Sequence, residues 1–159
     1  MKEILDILEK NAKVTVAEVA AMAGITEKEA ASSIAEYEKK RVILGYKAMV
    51  NWDKTDRDFV TALIDVKLVP QRDKGFDSIA ERIYKYPQVK SCLLMSGSYD
   101  LLVMIEGKHL KEVAMFVSEK LAIIDGVQST STHFVLKKYK DGNIIFEGSE
   151  SDDREAIVL

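Results

Sequence analysis

Residues 89–106 read VKSCLLMSGSYDLLVMIE, and this stretch decides the fold of the chain. Gly97-Ser98 is a suitable two-residue hairpin loop, because glycine accepts the positive φ that a type II′ turn requires. Pairing Ser96 with Tyr99 then places alternate side chains on opposite faces of the hairpin. One face carries Cys92, Leu94, Leu101, Val103 and Ile105, and the other carries Leu93, Met95, Leu102 and Met104. Antiparallel sheets commonly expose one polar face to water, whereas both faces of this hairpin are apolar. The hairpin is therefore predicted to be covered on both sides.

The composition is that of a folded protein. The chain has 159 residues, 47% of them hydrophobic and 31% charged, which suits one medium domain or two small ones. The formal net charge is −3, so DNA binding would need a local basic patch. A single cysteine, Cys92, excludes an intramolecular disulfide and a multi-cysteine zinc site. The sequence contains neither a signal peptide nor an apolar run of membrane-spanning length, and we expect a cytoplasmic protein without a membrane partner.

The first 50 residues carry the pattern of a helix-turn-helix unit. Residues 2–10 have apolar side chains at helical spacing. Capping boxes at residues 15–18 and 26–29 begin a second and a third helix, and Gly24 ends the second. A short helix, a glycine turn and a longer helix are typical of helix-turn-helix units, although other tri-helical units share this spacing. Residues 42–50 are predicted to form a strand or wing.

A second domain is predicted over residues 59–147, after a polar linker at 51–58 and before an acidic tail at 148–159. Strands are expected at 59–69, 92–95, 101–105 and 127–138, and helices at 74–86 and 108–124. The even-numbered positions of the first strand, 60–68, are all apolar, and the second helix carries a core-facing apolar stripe of Leu110, Val113, Ala114, Val117 and Leu121. The order strand, helix, strand, strand, helix, strand is the α+β, ferredoxin-like arrangement, in which both helices cover one face of the sheet. Residues 143–146 are predicted as a possible extra edge strand.

The apolar second face of the hairpin predicts an oligomer. The two helices cover only one side of a four-stranded sheet, so the other side would expose a sizeable apolar patch on a monomer. Face-to-face pairing of two sheets with two-fold symmetry is the simplest cover. We therefore expect a homodimer through the sheet.

Three short motifs resemble the Lrp/AsnC family of prokaryotic regulators. They are residues 44–46 (LGY), 96–100 (SGSYD) and 125–132 (DGVQSTST), and they occur in the right order and context. The resemblance spans almost the whole chain, from Ile4 to about Lys138. It implies a DNA-binding transcriptional regulator that dimerises through its sheet, forms octamers or other higher assemblies, and binds an amino acid between dimers.

The resemblance also implies where the effector binds. The candidate residues carried over are Gly97, Ser98, Tyr99 and Asp100 at the hairpin, with Gln128, Thr130 and Thr132 on the last strand. An amino acid needs an acceptor for its ammonium, which Asp100 offers, and donors for its carboxylate, which an open loop around Gly97 offers. The alternative is that Gly97 only makes a turn and that Asp100 only accepts from neighbouring N–H groups.

The third helix departs from the family pattern. Family members usually carry several arginines there, whereas residues 26–41 contain four basic and four acidic side chains. The candidate DNA contacts are Thr26, Lys28, Ser32, Ser33, Lys39, Lys40 and Arg41. Because neutralisation of phosphates by Lys and Arg dominates affinity, we expect weak or context-dependent binding to double-stranded DNA, which an oligomer would reinforce through multivalency.

The sequence leaves two other functions open. A DNA-silent amino-acid sensor would act through protein contacts. A siroheme decarboxylase, an enzyme built on the same architecture, would use basic and histidine residues around a tetrapyrrole, and His133 is the residue that suits this hypothesis. His109 and His133 lie outside any metal-ligand spacing, and nucleophile and phosphate-loop motifs are missing from the sequence. We therefore expect a non-enzyme without metal or cofactor.

Overall fold

The computed structural model describes residues 2–69 and 75–146, and the chain separates into two compact units, Met1–Val50 and Asn51–Leu159. The predicted acidic tail at 148–159 and the predicted helix start at Lys74 lie outside the described residues. Each unit has its own apolar core.

Three helices form the first unit: α1 (Lys2–Lys10), α2 (Val16–Ala23) and α3 (Glu27–Lys39). Both predicted capping boxes are present, with Thr15 bonded to Glu18 and Thr26 bonded to Glu29. Gly24 ends α2 in the left-handed region at φ 65°, which glycine adopts without strain. The buried side chains that hold the helices together are Ile4, Val19, Ala20 and Ala30.

The predicted strand or wing at residues 42–50 is wrong. These residues have no strand assignment, and the described part of this unit contains no strand at all. A strand needs a neighbour for its backbone groups, and this unit offers only helices. The start of the segment instead caps the C-terminal end of α3, because the N–H groups of Val42 and Ile43 both donate to the carbonyl of Tyr37, at 2.8 and 3.2 Å. Leu44 stays 78% exposed.

The second unit begins with a 3₁₀ turn (Trp52–Lys54) and is built on a sheet. Its elements are β1 (Val60–Leu68), α4 (Phe76–Tyr84), β2 (Val89–Leu94), β3 (Leu101–Gly107), α5 (Leu110–Phe116) and β4 (Val127–Phe134). The strands are antiparallel in the order β2-β3-β1-β4, and buried residues of both helices pack against one face. This is the predicted ferredoxin-like α+β fold.

The predicted alternation of β1 is confirmed. Ala62, Ile64, Val66 and Leu68 are buried against the helices, whereas the odd-numbered positions point to the other side of the sheet. We call that second side, carried by residues 61, 63, 65 and 67 of β1 and by their cross-strand neighbours, the open face.

The hairpin keeps the predicted register but has a different loop. Leu93 pairs with Leu102 and Leu94 with Leu101, the register that a 96–99 pairing implies. The last backbone bond runs from Met95 N to the carbonyl of Asp100 at 2.8 Å, which leaves a four-residue loop at 96–99. Gly97 has a φ of 148°, far from the value of about 60° that a type II′ turn needs. The prediction of a two-residue turn is therefore wrong. The N–H of Asp100 donates to the carbonyl of Val66 on β1 at 3.0 Å instead of across the hairpin, and this widens the loop.

The buried stripe of the second helix of the sheet domain differs from the predicted one. Leu110 and Ala114, both predicted to be buried, are exposed, and Phe116 takes part in the core instead. His109 caps the helix, and the chain continues past Phe116 as a π-helical turn (Val117–Leu121). The π turn widens the helical period only from Val117 onwards. Leu110 and Ala114 precede it in regular α-helix, where Val113 and Phe116 form the buried side.

The end of the domain also departs from the prediction. β4 ends at Phe134 instead of residue 138, and Leu136 is 96% exposed. The chain then forms a separate two-stranded hairpin, β5 (Lys140–Asp141) with β6 (Ile144–Ile145). Residues 143–146 therefore do not extend the main sheet. The left-handed conformations of Gly142 and Asn143 make a tight local turn that pairs this segment with itself.

Within the described residues, no helix has the length and apolar character needed to cross a membrane.

Candidate functional sites

One exposed stripe of α3 gathers three of the predicted DNA contacts. Lys28, Ser32 and Lys39 are exposed and lie at i, i+4 and i+11, which places them on one side of the helix. The opposite side packs into the core through Ala30, Ile34 and Tyr37. Lys28 and Lys39 place a positive charge near each end of this stripe.

The other predicted DNA contacts lie elsewhere or are already engaged. Thr26 is the N-cap, and its hydroxyl donates to Glu29 at 2.7 Å and accepts from the Glu29 N–H at 3.2 Å. Ser33 is half-buried, beside the packed side of the helix. Lys40 forms the C-cap and pairs with Glu36 at 2.6 Å, and Arg41 follows in the left-handed region at φ 56°.

The charges of α3 compensate one another. The hydrogen bond from Lys40 lowers the pKa of the Glu36 carboxyl and raises the pKa of the Lys40 ammonium, and the Coulomb attraction of the pair adds to both shifts. Both groups are exposed, so solvent screens the pair and it contributes little to stability. The positive charge that Lys40 offers to a phosphate is nevertheless shared with Glu36.

The LGY motif folds back on the end of α3. The Tyr46 hydroxyl donates to Glu38 Oε1 at 2.8 Å. Partial burial raises the pKa of Tyr46, and the bond to Glu38 raises it further. This contact fixes the path of the chain immediately after the helix that carries the candidate DNA surface.

The hairpin tip is open and polar. Gly97 and Ser98 are exposed, whereas Tyr99 and Asp100 are half-buried. A Cβ on Gly97 would meet nothing within 4 Å, so only its φ of 148° requires glycine. The backbone of this loop is accessible to a ligand.

Asp100 joins the tip to both neighbouring strands. Its N–H donates to the carbonyl of Val66 on β1, and its own carbonyl accepts from Met95 beyond the end of β2. Its carboxylate Oδ2 accepts from the N–H of Leu68 at 2.7 Å. The sequence contains no signal for the Leu68 N–H, because a backbone donor is the same at every non-proline position.

The three predicted residues of β4 lie at increasing distance from the tip. Gln128 occupies a register shift, since Lys67 pairs with Ser129 but Leu68 pairs with Val127. Gln128 and Asp100 therefore flank Leu68 from its two sides. Thr130 pairs with Val66 and Thr132 with Ile64, so both are half-buried on the helix-covered face and Thr132 lies farther along the sheet.

The open face is apolar on one half and polar on the other. The apolar half comprises Leu63, Leu93, Leu102 and Met104, and Leu93 is 51% exposed. On the polar half, His133 Nε2 lies 3.0 Å from Asp65 Oδ2, beside Ser129 and Ser131. The predicted patch on the uncovered side of the sheet is therefore present in the protomer.

The remaining histidine has a structural role. His109 Nδ1 accepts from the N–H of Glu112 at 3.1 Å and caps α5. Among the residues that the structure describes, no group of three or more His, Cys, Asp or Glu side chains could hold a metal ion.

Comparison with known proteins assigns the chain to a family. The sequence profile of the Lrp/AsnC ligand binding domain matches residues 61–145, and the uncharacterized HTH-type transcriptional regulator YugG of Bacillus subtilis is 49% identical over 156 residues. That match covers 98% of this chain and 94% of YugG. The chain belongs to the Lrp/AsnC family of helix-turn-helix transcriptional regulators. The resemblance inferred from the three sequence motifs is thereby confirmed.

More distant members agree with this assignment. The HTH-type transcriptional regulator LrpA of Pyrococcus abyssi is 30% identical, over 87% of this chain and 96% of that protein. The crystal structure of the transcriptional regulator NMB0573 from Neisseria meningitidis, a complex with L-Met, superposes with a TM-score of 0.70. It is 24% identical and covers 87% of this chain and 89% of that chain, so it supports the Lrp/AsnC fold.

Proposed function

We propose that this Lrp/AsnC protein regulates transcription by binding double-stranded DNA through α3, and that an amino acid or a related small molecule bound at the hairpin tip controls it. The observation that carries the proposal is the combination of a capped, exposed helix in one unit with an open polar tip on a sheet of the Lrp/AsnC type in the other. We propose no catalytic role and no resident cofactor.

Contacts to DNA phosphates come from the exposed stripe of α3. Lys28 and Lys39 stand at opposite ends of this stripe, and Ser32 lies between them. Because each neutralised phosphate contributes to affinity, two or three lysines per protomer give modest binding. Two linked helix-turn-helix units raise the effective affinity when both engage the same DNA.

Dimerisation occurs through the open face. The exposed side chain of Leu93 and the half-buried side chains of Leu102 and Met104 leave water when two sheets pack against each other. A two-fold axis would bring the same patch of each protomer into contact, as most homodimers do. We propose further assembly of dimers into octamers, with the effector bound where the tips of neighbouring dimers meet.

The effector is an amino acid held at the tip. The exposed backbone of residues 97–99 offers N–H donors to a carboxylate, and Tyr99 offers an aromatic surface to a side chain. Gln128, beside the tip at Leu68, adds a polar side chain, whereas Thr130 and Thr132 lie farther away. The related Neisseria protein was crystallised with L-Met, which makes L-methionine the first compound to test.

A thermal-shift titration with L-methionine, followed by the other amino acids, tests the effector. A ligand at about 100 times its Kd stabilises the native state by about 2.7 kcal/mol, or a melting shift of about 5–10 °C for a chain of this size. The absence of a shift with all amino acids would contradict amino-acid sensing.

A gel-shift titration with the DNA upstream of the protein's own gene tests the regulator. Retardation that changes with the active amino acid supports the proposal. A ligand response without any retardation would support the DNA-silent sensor instead. The siroheme alternative predicts a shift of the Soret band on mixing with siroheme, and we expect no such shift.

A further inference from the structure

The N–H of Leu68 is a backbone donor without a strand partner. β1 pairs with β3 only as far as Val66, which lies opposite Leu101. β3 begins at Leu101, and the loop at 96–99 that precedes it forms the tip, so no carbonyl of β3 lies opposite Leu68, two residues farther along β1. The Leu68 N–H instead donates to the Asp100 carboxylate at 2.7 Å.

We propose that Asp100 is a positioning residue whose carboxylate replaces the missing backbone acceptor of β1, and that it does not bind the ammonium of the effector. This inference deepens the proposed function, on which its ligand-binding part rests. Asp100 holds the tip in a fixed position relative to the end of β1. The backbone of residues 97–99 then makes the direct contacts with the ligand.

Three bonds at one residue support this role. The N–H, the carbonyl and the carboxylate of Asp100 engage Val66, Met95 and Leu68 respectively. Asp100 thus bonds to the strands on both sides of it. A hydrogen bond between a carboxylate and a backbone N–H is among the stronger ones, and this carboxylate is half-buried, so solvent weakens the bond less than at an exposed site.

The same bond connects the tip to β4. Leu68 is followed by Val69, whose N–H donates to the carbonyl of Gly126 at 2.9 Å, and Gly126 leads directly into the register shift at Gln128. Asp100 therefore fixes the position of the tip relative to Gln128, which is the β4 residue of the candidate effector site nearest to the tip. Loss of the bond would loosen both.

A side-chain replacement that keeps the acceptor distinguishes positioning from ammonium binding. Asn has the shape of Asp and retains a carbonyl oxygen for the Leu68 N–H, but it lacks the negative charge that an ammonium requires. Asp100→Asn should therefore keep both the melting temperature and the affinity for the effector within about threefold. Asp100→Ala should lower the melting temperature by about 3–8 °C, because the Leu68 donor loses its partner.

Two measurements on the full chain decide the question. Hydrogen exchange of the Leu68 amide, followed by NMR without ligand, should be slow in the natural protein and in Asp100→Asn and clearly faster in Asp100→Ala. Effector affinity should fall by more than about tenfold only in Asp100→Ala. Asp56→Asn and Asp56→Ala, at an exposed aspartate of the same unit, are the matched controls and should change neither readout.

Either of two results would overturn the inference. If Asp100→Asn keeps slow exchange at Leu68 but loses the effector, Asp100 binds the ammonium directly. If Asp100→Ala leaves the exchange at Leu68 slow, the carboxylate does not hold β1. A natural protein that binds no amino acid would refute the proposed function instead, while the exchange of Leu68 would still test the role of Asp100.

Discussion

A pair of adjacent leucines tests whether the open face is the dimer interface. Leu93 and Leu94 follow one another in the edge strand β2 and are similarly exposed, at 51% and 61%. They point to opposite sides, because Leu93 lies opposite Leu102 on the open face and Leu94 lies opposite the buried Leu101 on the helix-covered face. We predict that Leu93→Asp dissociates the dimer and that Leu94→Asp does not.

The expected cost follows from the exposure of Leu93 and from the two-fold symmetry. Burial of the exposed half of a leucine side chain is worth about 1 kcal/mol, and leaving a polar group buried without a partner costs about 1–3 kcal/mol. Both terms occur once per protomer, so the dimer loses about 4–8 kcal/mol. At about 1.4 kcal/mol per tenfold change, its dissociation constant rises by about three to six orders of magnitude.

Sedimentation or light scattering over a range of concentrations provides the assay. Leu93→Asp should be monomeric at micromolar concentration, with a circular dichroism spectrum like that of the natural protein, since its side chain is exposed in the protomer. Leu94→Asp should remain dimeric. Equal dimerisation of the two variants, or a natural protein that is a stable monomer, would refute the sheet pairing. Leu102→Asp should also dissociate the dimer, although its half-buried position adds a cost to folding.

Three further predictions concern other parts of the chain. The double variant Lys39→Ala/Lys40→Ala should weaken DNA binding equally on all sequences and reduce the dependence of log affinity on log salt concentration by about 1–2, as measured by fluorescence anisotropy. The control Lys85→Ala removes a matching i,i+4 ion pair from the other unit and should change neither quantity. Gly97→Val should lower the melting temperature by a few degrees, because a β-branched residue resists a φ of 148°; an unchanged melting curve would show that the tip relaxes freely. Burial raises the pKa of the Cys92 thiol, so alkylation by iodoacetamide should be slower than that of free cysteine near neutral pH and should accelerate as pH rises; labelling at the rate of free cysteine would contradict this.

Local sequence was sufficient for the elements whose formation depends on neighbouring residues. Capping boxes at Thr15 and Thr26 and the left-handed Gly24 involve residues at most four positions apart, and each is present as predicted. The alternation of β1 and the register of the hairpin also followed from the pattern, because a strand has a period of two and a mismatch would expose the buried face. The family itself was recognised from three short motifs.

Elements that depend on a distant partner were missed. Residues 42–50 have the composition of a strand, but the first unit contains no strand beside them in the described part of the chain. Leu110 and Ala114 lie at the surface because α5 packs through Val113 and Phe116, and residues 144–145 pair locally with β5. Propensity is a weak guide in such places, since the available partner decides the outcome.

The tip illustrates the same division. The sequence singled out Gly97 and Asp100, and it left open whether the carboxylate serves a ligand or a neighbouring N–H group. Only the tertiary structure brings Leu68 within 2.7 Å of that carboxylate, across a gap of 32 residues in the chain. The Leu68 N–H needs this acceptor because β3 begins only at Leu101, opposite Val66. Every non-proline residue has the same backbone donor, so the sequence alone does not show which donor lacks a strand partner.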